Sequence, residues 1–299
     1  MFIKNGKILL QVSKILSASL FFMFSMALNA QELVESDYVI PKDMAMGFKH
    51  FSYDYASVES DAPELAYEYT QVKVPLGKFD VMDQILVPSI SIERNEFRVN
   101  NAPSDEPTLY SIKSQFMFIE RQDEQWTRIF QITPSIHSDM ESISSDSFSL
   151  MGLAVWRYQS TDHSAWTMGF GVNRLFGEYM PIPLISYQYQ ASQRLQLDVG
   201  FPITKAEYSF KPNLTGFVSL APVGGNWSYE SSNNGKLNIS YSSWIASTGM
   251  RYQVKKKIWA TVELGKSINR SVNFNDTADE QEADIADSTA IMFSIGFHP

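Results

Sequence analysis

The sequence predicts an all-β protein, an antiparallel transmembrane β-barrel of about 12–14 strands. Three observations predict this fold class: an export segment at the N-terminus, an alternation of apolar and polar residues with a period of two, and connections that are short and long in turn. A closed antiparallel sheet pairs every backbone N–H and C=O group without leaving an edge, which a strand-built protein needs in lipid.

The first element is a cleaved signal peptide at residues 1–30. Lys4, Lys7 and Lys14 give it a positive start, an apolar run from 15 to 28 follows, and small residues then offer a cleavage site. The apolar run is shorter than the roughly 20 residues that a helix needs to cross a bilayer, so a membrane anchor is the weaker interpretation. Cleavage removes three lysines and changes the formal net charge of −9 to −12.

The composition excludes several classes of function. The chain has no cysteine, which rules out disulfides, thiolate-held metals and cysteine nucleophiles. Its 33 acidic residues outnumber its 24 basic ones, whereas a nucleic-acid-binding protein needs a basic surface. Hydrophobic residues make up 44% of the chain, so it can bury ample surface and is not expected to be disordered.

Alternation continues through most of the mature chain. Leu195, Leu197 and Val199, for example, share one face of a strand, while Gln196 and Asp198 lie on the other face. The same pattern predicts fourteen strands, at 46–56, 65–75, 84–97, 108–121, 126–137, 147–158, 164–173, 183–190, 194–202, 205–211, 214–230, 237–253, 258–272 and 288–298.

The connections between these strands predict which end of the barrel faces the periplasm and which end faces outward. Outer-membrane barrels have short periplasmic turns and longer outer loops. Four short polar turns are predicted at 121–126, 159–163, 190–194 and 254–257, and longer connections at 100–107, 138–146, 174–181, 231–236 and 275–287. Residues 31–45 are then a short N-terminal periplasmic segment, and 46–299 form the barrel. Pro202 and Pro212 flank a short strand, so twelve strands are as acceptable as fourteen.

Alternation alone also fits an exported soluble β-sandwich that binds a carbohydrate or a partner protein. The last strand separates the two folds. In a sandwich Ile291, Phe293, Ile295 and Phe297 would lie in a core between two sheets, whereas in a barrel they would face lipid.

A family resemblance covers the chain from about residue 150 to its end. It is carried by strand and turn patterns, namely Gly169-Phe170-Gly171-Val172, Tyr187-Gln188-Tyr189-Gln190, Leu195-Gln196-Leu197-Asp198-Val199-Gly200-Phe201-Pro202 and Gly249-Met250-Arg251-Tyr252. These residues resemble an uncharacterised family of Gram-negative outer-membrane β-barrel proteins, known as a domain of unknown function. The resemblance implies fold and location and brings no catalytic residues.

The last strand also resembles the C-terminal signal that the barrel assembly machinery reads in such proteins. That signal ends in an aromatic residue, and Ile291, Phe293, Ile295 and Phe297 fit its alternation. The chain departs from the pattern because His298 and Pro299 follow Phe297.

An outer-membrane hydrolase is the alternative that the histidines could support. Such an enzyme needs a histidine within hydrogen-bond reach of a serine and an orienting acid. His137 shares a strand face with Ser135 but not with Ser138, and we interpret it as a solvated residue at a strand end. His163 is expected in a turn beside Asp162.

The remaining histidines give no stronger candidate. His50 is expected in the lumen, on the polar face of its strand with Ser52 and Asp54. His298 lies next to the C-terminus.

Three other groups have simple structural interpretations. The acidic segment 276–287 has six carboxylates, which could hold Ca²⁺ against phosphate-rich lipid, but it lacks EF-hand spacing and is interpreted as a solvated loop. Gly224-Gly225 indicates a β-bulge or a tight turn rather than a phosphate-binding loop. The lysines at 255–257 are expected in a hairpin turn, with Trp259 as an interface anchor.

The predicted lumen is polar and carries charges of both signs. Its members are His50, Asp54, Lys113, Gln115, Thr167, Asn173, Gln188, Gln196, Asp198 and Glu263, with small residues at Gly169, Gly171, Gly200 and Gly265. Such an interior suits either a water-filled channel or a closed network.

The sequence therefore predicts a passive channel for small solutes or a structural surface protein. No catalytic residue, metal site or cofactor is expected. The expected partners are outer-membrane lipid and lipopolysaccharide, the barrel assembly machinery and small solutes in the lumen, with no nucleic acid.

Overall fold

The computed structural model describes the chain from residue 46 to residue 297 with several gaps. The described residues are 46–58, 64–99, 108–141, 143–174, 176, 178–231, 235–275 and 280–297. The predicted signal peptide and N-terminal periplasmic segment lie outside them. Within the described ranges, no helix is long and apolar enough to cross a membrane.

The described part of the chain contains sixteen strands and one short 3-10 helix at Ser145–Ser147. The strands are β1 (Met46–Ser57), β2 (Glu64–Pro75), β3 (Phe79–Val81), β4 (Gln84–Val99), β5 (Thr108–Arg121), β6 (Trp126–Ser138), β7 (Phe148–Thr161), β8 (Ser164–Asn173), β9 (Met180–Gln190), β10 (Leu195–Phe201), β11 (Thr204–Lys211), β12 (Leu214–Ser231), β13 (Gly235–Lys255), β14 (Ile258–Asn275), β15 (Glu280–Ile285) and β16 (Ser288–Phe297).

These strands close into an antiparallel barrel whose wall contains fourteen strands. β1 pairs with both β2 and β16, from Met46 opposite Phe297 onward, and β13 pairs with both β12 and β14. β3 continues β2 along β4, and β15 continues β16 along β14, so each of these two pairs of segments forms one wall strand. The prediction of fourteen strands is confirmed. The uncertain pair, β10 and β11, is present but short, with 7 and 8 residues.

The outer face of the wall is apolar. Along β16, Ile291, Phe293 and Ile295 are 57%, 43% and 42% exposed, whereas the intervening Met292 is 4% exposed. Exposed apolar residues recur at every second position of other wall strands, as with Ile90 and Ile92 of β4. The sandwich alternative is therefore wrong, because the residues that it places in a core lie on the outside of a closed barrel.

Most short and long connections fall at opposite ends of the barrel, as predicted. We call these ends the short-turn end and the long-loop end. Two connections differ from the prediction: β10 and β11 are joined by a short turn at 202–203 at the end of the long connections, and the predicted long connection 231–236 is short, because β12 ends at 231 and β13 begins at 235. Short turns such as 122–125 and 162–163 join strands at one end, while the 3-10 helix lies in a longer connection at the other. The acidic segment differs from its predicted loop, because β15 occupies 280–285 and pairs with β14. Residues 276–279 lie outside the described ones.

An apolar core fills the interior near the long-loop end. Rings from strands that are not neighbours meet inside the barrel: the Tyr67 and Tyr241 centroids are 4.8 Å apart, and those of Phe97 and Trp227 are 5.8 Å apart. β12 reaches β6 on the other side through a parallel bridge between Ser228 and Ser138. The barrel is thus closed by its own wall at this end. The core comprises Phe51, Tyr53, Ala56, Leu65, Tyr67, Phe97, Leu109, Trp227, Ile239, Tyr241, Ile245, Val272, Ile285, Ala290 and Met292.

Removing one ring from this core should destabilise the barrel. Tyr67 is 2% exposed, so Tyr67→Ala leaves a cavity and is expected to cost about 3–5 kcal/mol, as other buried aromatic deletions do. The measurement is the temperature at which the folded barrel loses its fast mobility on SDS gels. Tyr252→Ala, on the outer face, is the matched control and should change this temperature far less. Equal shifts in the two variants would contradict a stabilising interior core.

Candidate functional site

The interior towards the short-turn end is a polar chamber, formed first by β2, β4, β5 and β6. The Nζ of Lys113 lies 2.8 Å from Glu93 Oε2, and Gln71 Nε2 donates to Glu93 Oε1 at 2.9 Å. Gln115 Nε2 donates to Gln131 Oε1 at 2.6 Å. These side chains point inward because they occupy the alternate positions to exposed residues such as Ile112. The buried Glu93 carboxylate therefore has both a cation and an amide as partners.

The opposite wall of the chamber, from β10 to β13, repeats this arrangement. Glu207 is held by two cations, with Lys205 Nζ at 2.7 Å and Arg251 Nη1 at 3.3 Å. The same cations lie over the ring of Phe217, at 4.7 and 5.7 Å from its centroid. Charges of both signs are thus paired on both walls. Among the described residues of the chamber, no row of charges of one sign would select cations over anions or the reverse. This agrees with the sequence prediction.

A hydrogen-bond network separates the polar chamber from the apolar core. Trp227 Nε1 donates to Ser111 Oγ at 2.9 Å, and His137 bridges Ser111 and Ser135 with its two ring nitrogens at 2.8 and 2.9 Å. Ser111 Oγ can take part in both contacts, because a hydroxyl group has one hydrogen to donate and two lone pairs to accept. Ser135 Oγ, the partner of His137 Nε2, also contacts Ser149 Oγ at 2.7 Å. Both ring nitrogens of His137 are thus paired with serine hydroxyl groups.

The predicted solvated position of His137 is wrong. The side chain is 4% exposed, because the inward bend of β12 brings Trp227 over it. Ser135 does share its face, as predicted, and lies within hydrogen-bond reach. The other nitrogen is bound by a serine rather than by an acid, so the orienting group of a Ser–His–acid hydrolase is not at this position.

His50 and Asp54 were also assigned wrongly, since both were placed in the lumen. On β1 the inward face is the apolar one, with Phe51 and Tyr53 in the core. His50 faces outward and its Nδ1 contacts Thr70 Oγ1 at 2.9 Å, while Asp54 is exposed at a bulge. The polar face of a strand points inward only where polar groups line the interior, and at β1 the interior is the apolar core.

The other predicted lumen residues occupy inward positions. They are Lys113, Gln115, Thr167, Asn173, Gln188, Gln196, Asp198 and Glu263, with the glycines Gly169, Gly171, Gly200 and Gly265. Arg157 belongs with them, as its Nη2 donates to Gln188 Oε1 at 2.9 Å. His163 lies in a turn, as predicted, and His298 lies outside the described residues.

Gly224-Gly225 does not form the predicted bulge or turn. β12 pairs with β13 without a register shift from Leu214 to Ser231. A Cβ on Gly225 would lie 2.6 Å from the Trp227 ring, so this glycine makes room for the indole on the same face. The lysine turn at 255–257 lies between β13 and β14, as predicted.

Arg270 is a buried interior residue that the sequence did not reveal. It is 1% exposed, its Nε donates to Tyr241 Oη at 3.3 Å, and its guanidinium lies 5.2 Å from the Tyr53 ring centroid. Its Nη1 donates to Ala286 O and Ser288 Oγ. An arginine between Asn269 and Ser271 of β14 gives no local signal of burial, because its partners come from β1, β13 and the 286–288 segment.

The network at Ser111 should contribute measurably to stability. Ser111→Ala removes the acceptor of Trp227 and a partner of His137, and leaving such buried groups unpaired costs about 1–3 kcal/mol. The temperature of the mobility shift on SDS gels should fall accordingly. Ser114→Ala changes a neighbouring serine on the outward face of β5 and should leave it unchanged. An unaltered temperature for Ser111→Ala would show that the network does not stabilise the barrel.

Comparison with solved structures finds outer-membrane barrels. An outer-membrane channel from Pseudomonas putida F1 shares 9% identity at a TM-score of 0.47, with 86% of this chain and 99% of that chain covered. The P. putida toluene transporter TodX shares 8% identity at a TM-score of 0.42, with 84% and 89% covered. The NanC porin shares 10% identity at a TM-score of 0.42, with 85% and 100% covered.

Sequence comparison is informative at the level of the family alone. A search against curated proteins finds no match. The family model described as Domain of unknown function (DUF6268) matches residues 27–298, nearly the whole chain, and the protein therefore belongs to the DUF6268 family.

Proposed function

We propose that the protein is a passive conduit for small solutes in the outer membrane of a Gram-negative cell. The apolar outer face supports a membrane location, since exposed residues such as Phe170 and Val262 would otherwise meet water. The predicted signal peptide at 1–30 supplies export. The short-turn end then faces the periplasm, and the long-loop end faces outward with lipopolysaccharide around it. The apolar alternation of β16 suits recognition by the barrel assembly machinery.

The observation that carries the conduit function is the polar chamber in a wide barrel. A barrel of about 8 strands is filled by its own side chains, whereas barrels of about 16–18 strands leave an aqueous channel. Fourteen strands leave room between these limits. In the long-loop half that room is taken by the apolar core, but in the other half Lys113, Glu93 and Gln115 line it, and the Lys113 side chain retains 27% exposure. Polar groups that stay hydrated suit a solute path.

A structural surface protein is the second candidate, and the apolar core favours it. The rings that meet across the long-loop half obstruct a straight path along the barrel axis. A hydrolase has no comparable support, because His137 is buried and lacks an acidic partner.

The sidedness of the barrel can be tested with single cysteines, because the chain contains none of its own. Glu141→Cys places a thiol in a long connection, and Glu124→Cys places one in a short turn; both positions are exposed. A membrane-impermeant maleimide added to intact cells should label Glu141→Cys and spare Glu124→Cys until the cells are lysed. Labelling with the opposite preference would contradict the proposed orientation. Release of the protein by osmotic shock without detergent would contradict the membrane location.

Conductance in planar lipid bilayers tests the conduit. Wild-type protein should conduct weakly, and Trp227→Ala, which removes the ring between chamber and core, should give larger conductance steps. Trp166→Ala removes an indole from the outer face and should match the wild type. Folded protein is confirmed beforehand by its mobility shift on heating. If none of the three folded barrels conducts, the result would favour the structural surface protein.

A further inference from the structure

The barrel wall is incomplete between β9 and β12. The hairpin of β10 and β11 pairs with β9 only at 185–190 and with β12 only at 214–220. Above it, residues 180–184 of β9 and 221–227 of β12 have no strand partner on their facing edges within the described part of the chain. We call this opening, bounded by those two edges and the hairpin end at 201–204, the wall gap.

Three prolines occupy the edges of the wall gap. The N–H of Gln190 donates to His163 O on the β8 side. The N–H and C=O groups of even-numbered residues of β9 therefore point towards β8, and those of odd-numbered residues point towards β10. Pro181 and Pro183 are therefore at positions whose N–H would point into the gap. On β12, Asn213 C=O points to β13, so even positions such as Pro222 face the gap. Proline has no N–H to leave unpaired, which is why it occurs at strand edges.

The outer side of the wall gap is covered by aromatic rings. Phe176, from the connection between β8 and β9, lies with its ring centroid 6.2 Å from Phe201 and 5.9 Å from Trp244. The Phe201 and Trp244 centroids are 6.1 Å apart. This cover is made of side chains rather than of a hydrogen-bonded sheet. Rotation of rings can therefore open it, whereas the rest of the wall opens only by breaking backbone hydrogen bonds.

The inner approach to the wall gap is apolar. Leu153 and Leu184 hold inward positions on β7 and β9, opposite in phase to the exposed Leu150 and Ile185, and Val223 of β12 packs against the apolar core. A solute leaving the polar chamber towards this gap thus passes from hydrated side chains to hydrocarbon ones. The straight route along the axis is meanwhile blocked by the core.

We propose that the wall gap is a lateral passage through which small apolar or amphipathic solutes move between the lumen and the outer leaflet of the membrane. This inference rests on the proposed conduit function and names its solute class. The bilayer-facing opening, the aromatic cover and the apolar inner approach all suit such molecules. A strongly polar solute would lose much of its hydration on passing the aromatic rings and the leucines of the inner approach.

Uptake of N-phenyl-1-naphthylamine, an apolar dye that fluoresces in hydrocarbon, tests the passage in cells with a lipopolysaccharide outer leaflet. The Phe201→Ala/Trp244→Ala variant removes two of the three covering rings. It should raise the uptake rate about tenfold over wild type, corresponding to a barrier lower by about 1.4 kcal/mol. Phe116→Ala is the matched control, since Phe116 and Phe201 are both 39% exposed on the outer face. Hydrolysis of nitrocefin by a periplasmic β-lactamase reports membrane integrity and should not change.

A second variant keeps the test decisive if the double alanine variant fails to fold. Leu184→Cys, reacted with a bulky maleimide, should fill the inner approach and reduce dye uptake to that of cells without the protein. Equal dye uptake in all variants, together with conductance through Trp227→Ala, would overturn the lateral passage and leave the conduit standing. Equal uptake with no conductance would overturn both. A rise in Phe116→Ala as large as in the double variant would also overturn the passage.

Discussion

Closure of the backbone hydrogen-bond ladder is the constraint on which the rest of this structure depends. In hydrocarbon an unpaired N–H or C=O group has no water to bind, so a sheet is stable there only when its first and last strands meet. The pairing of β1 with β16 meets that requirement. Closure also divides the side chains of each strand between an outer and an inner face, and in most strands the apolar face is the outer one.

Closure with fourteen strands also sets the width of the barrel. The chain fills the resulting interior differently in the two halves. Fourteen strands enclose more space than simple alternation of inward side chains can fill. Near the long-loop end, β12 bends across to β6 and brings Trp227 and Tyr241 against the opposite wall. Near the short-turn end the space is lined by ion pairs such as Lys205 with Glu207. The same barrel therefore has a dry, packed half and a polar half.

This division explains what the sequence could and could not predict. Alternation and most of the connection lengths are local properties, and they were predicted correctly. The number of strands was predicted only as 12–14, because β10 and β11 are short. Whether an inward residue is packed in the apolar core or lines the polar chamber depends on the half of the barrel that it occupies. No local sequence pattern indicates which half that is. His137 is buried because Trp227 lies over Ser111, and the two residues that make that hydrogen bond are 116 positions apart in the chain. His50 was misplaced because β1 turns its apolar face inward, the reverse of the usual rule.

The prolines are a case in which a local rule carries information about the whole wall. Pro181, Pro183 and Pro222 could be read from the sequence as unfavourable strand residues, and the weak hairpin between them as an argument for twelve strands. In the closed barrel they have one common cause, since each takes the place of an N–H that would have faced the gap. Their placement means that the edges of the opening leave fewer backbone donors unpaired, which an opening towards hydrocarbon, as in the proposed lateral passage, requires.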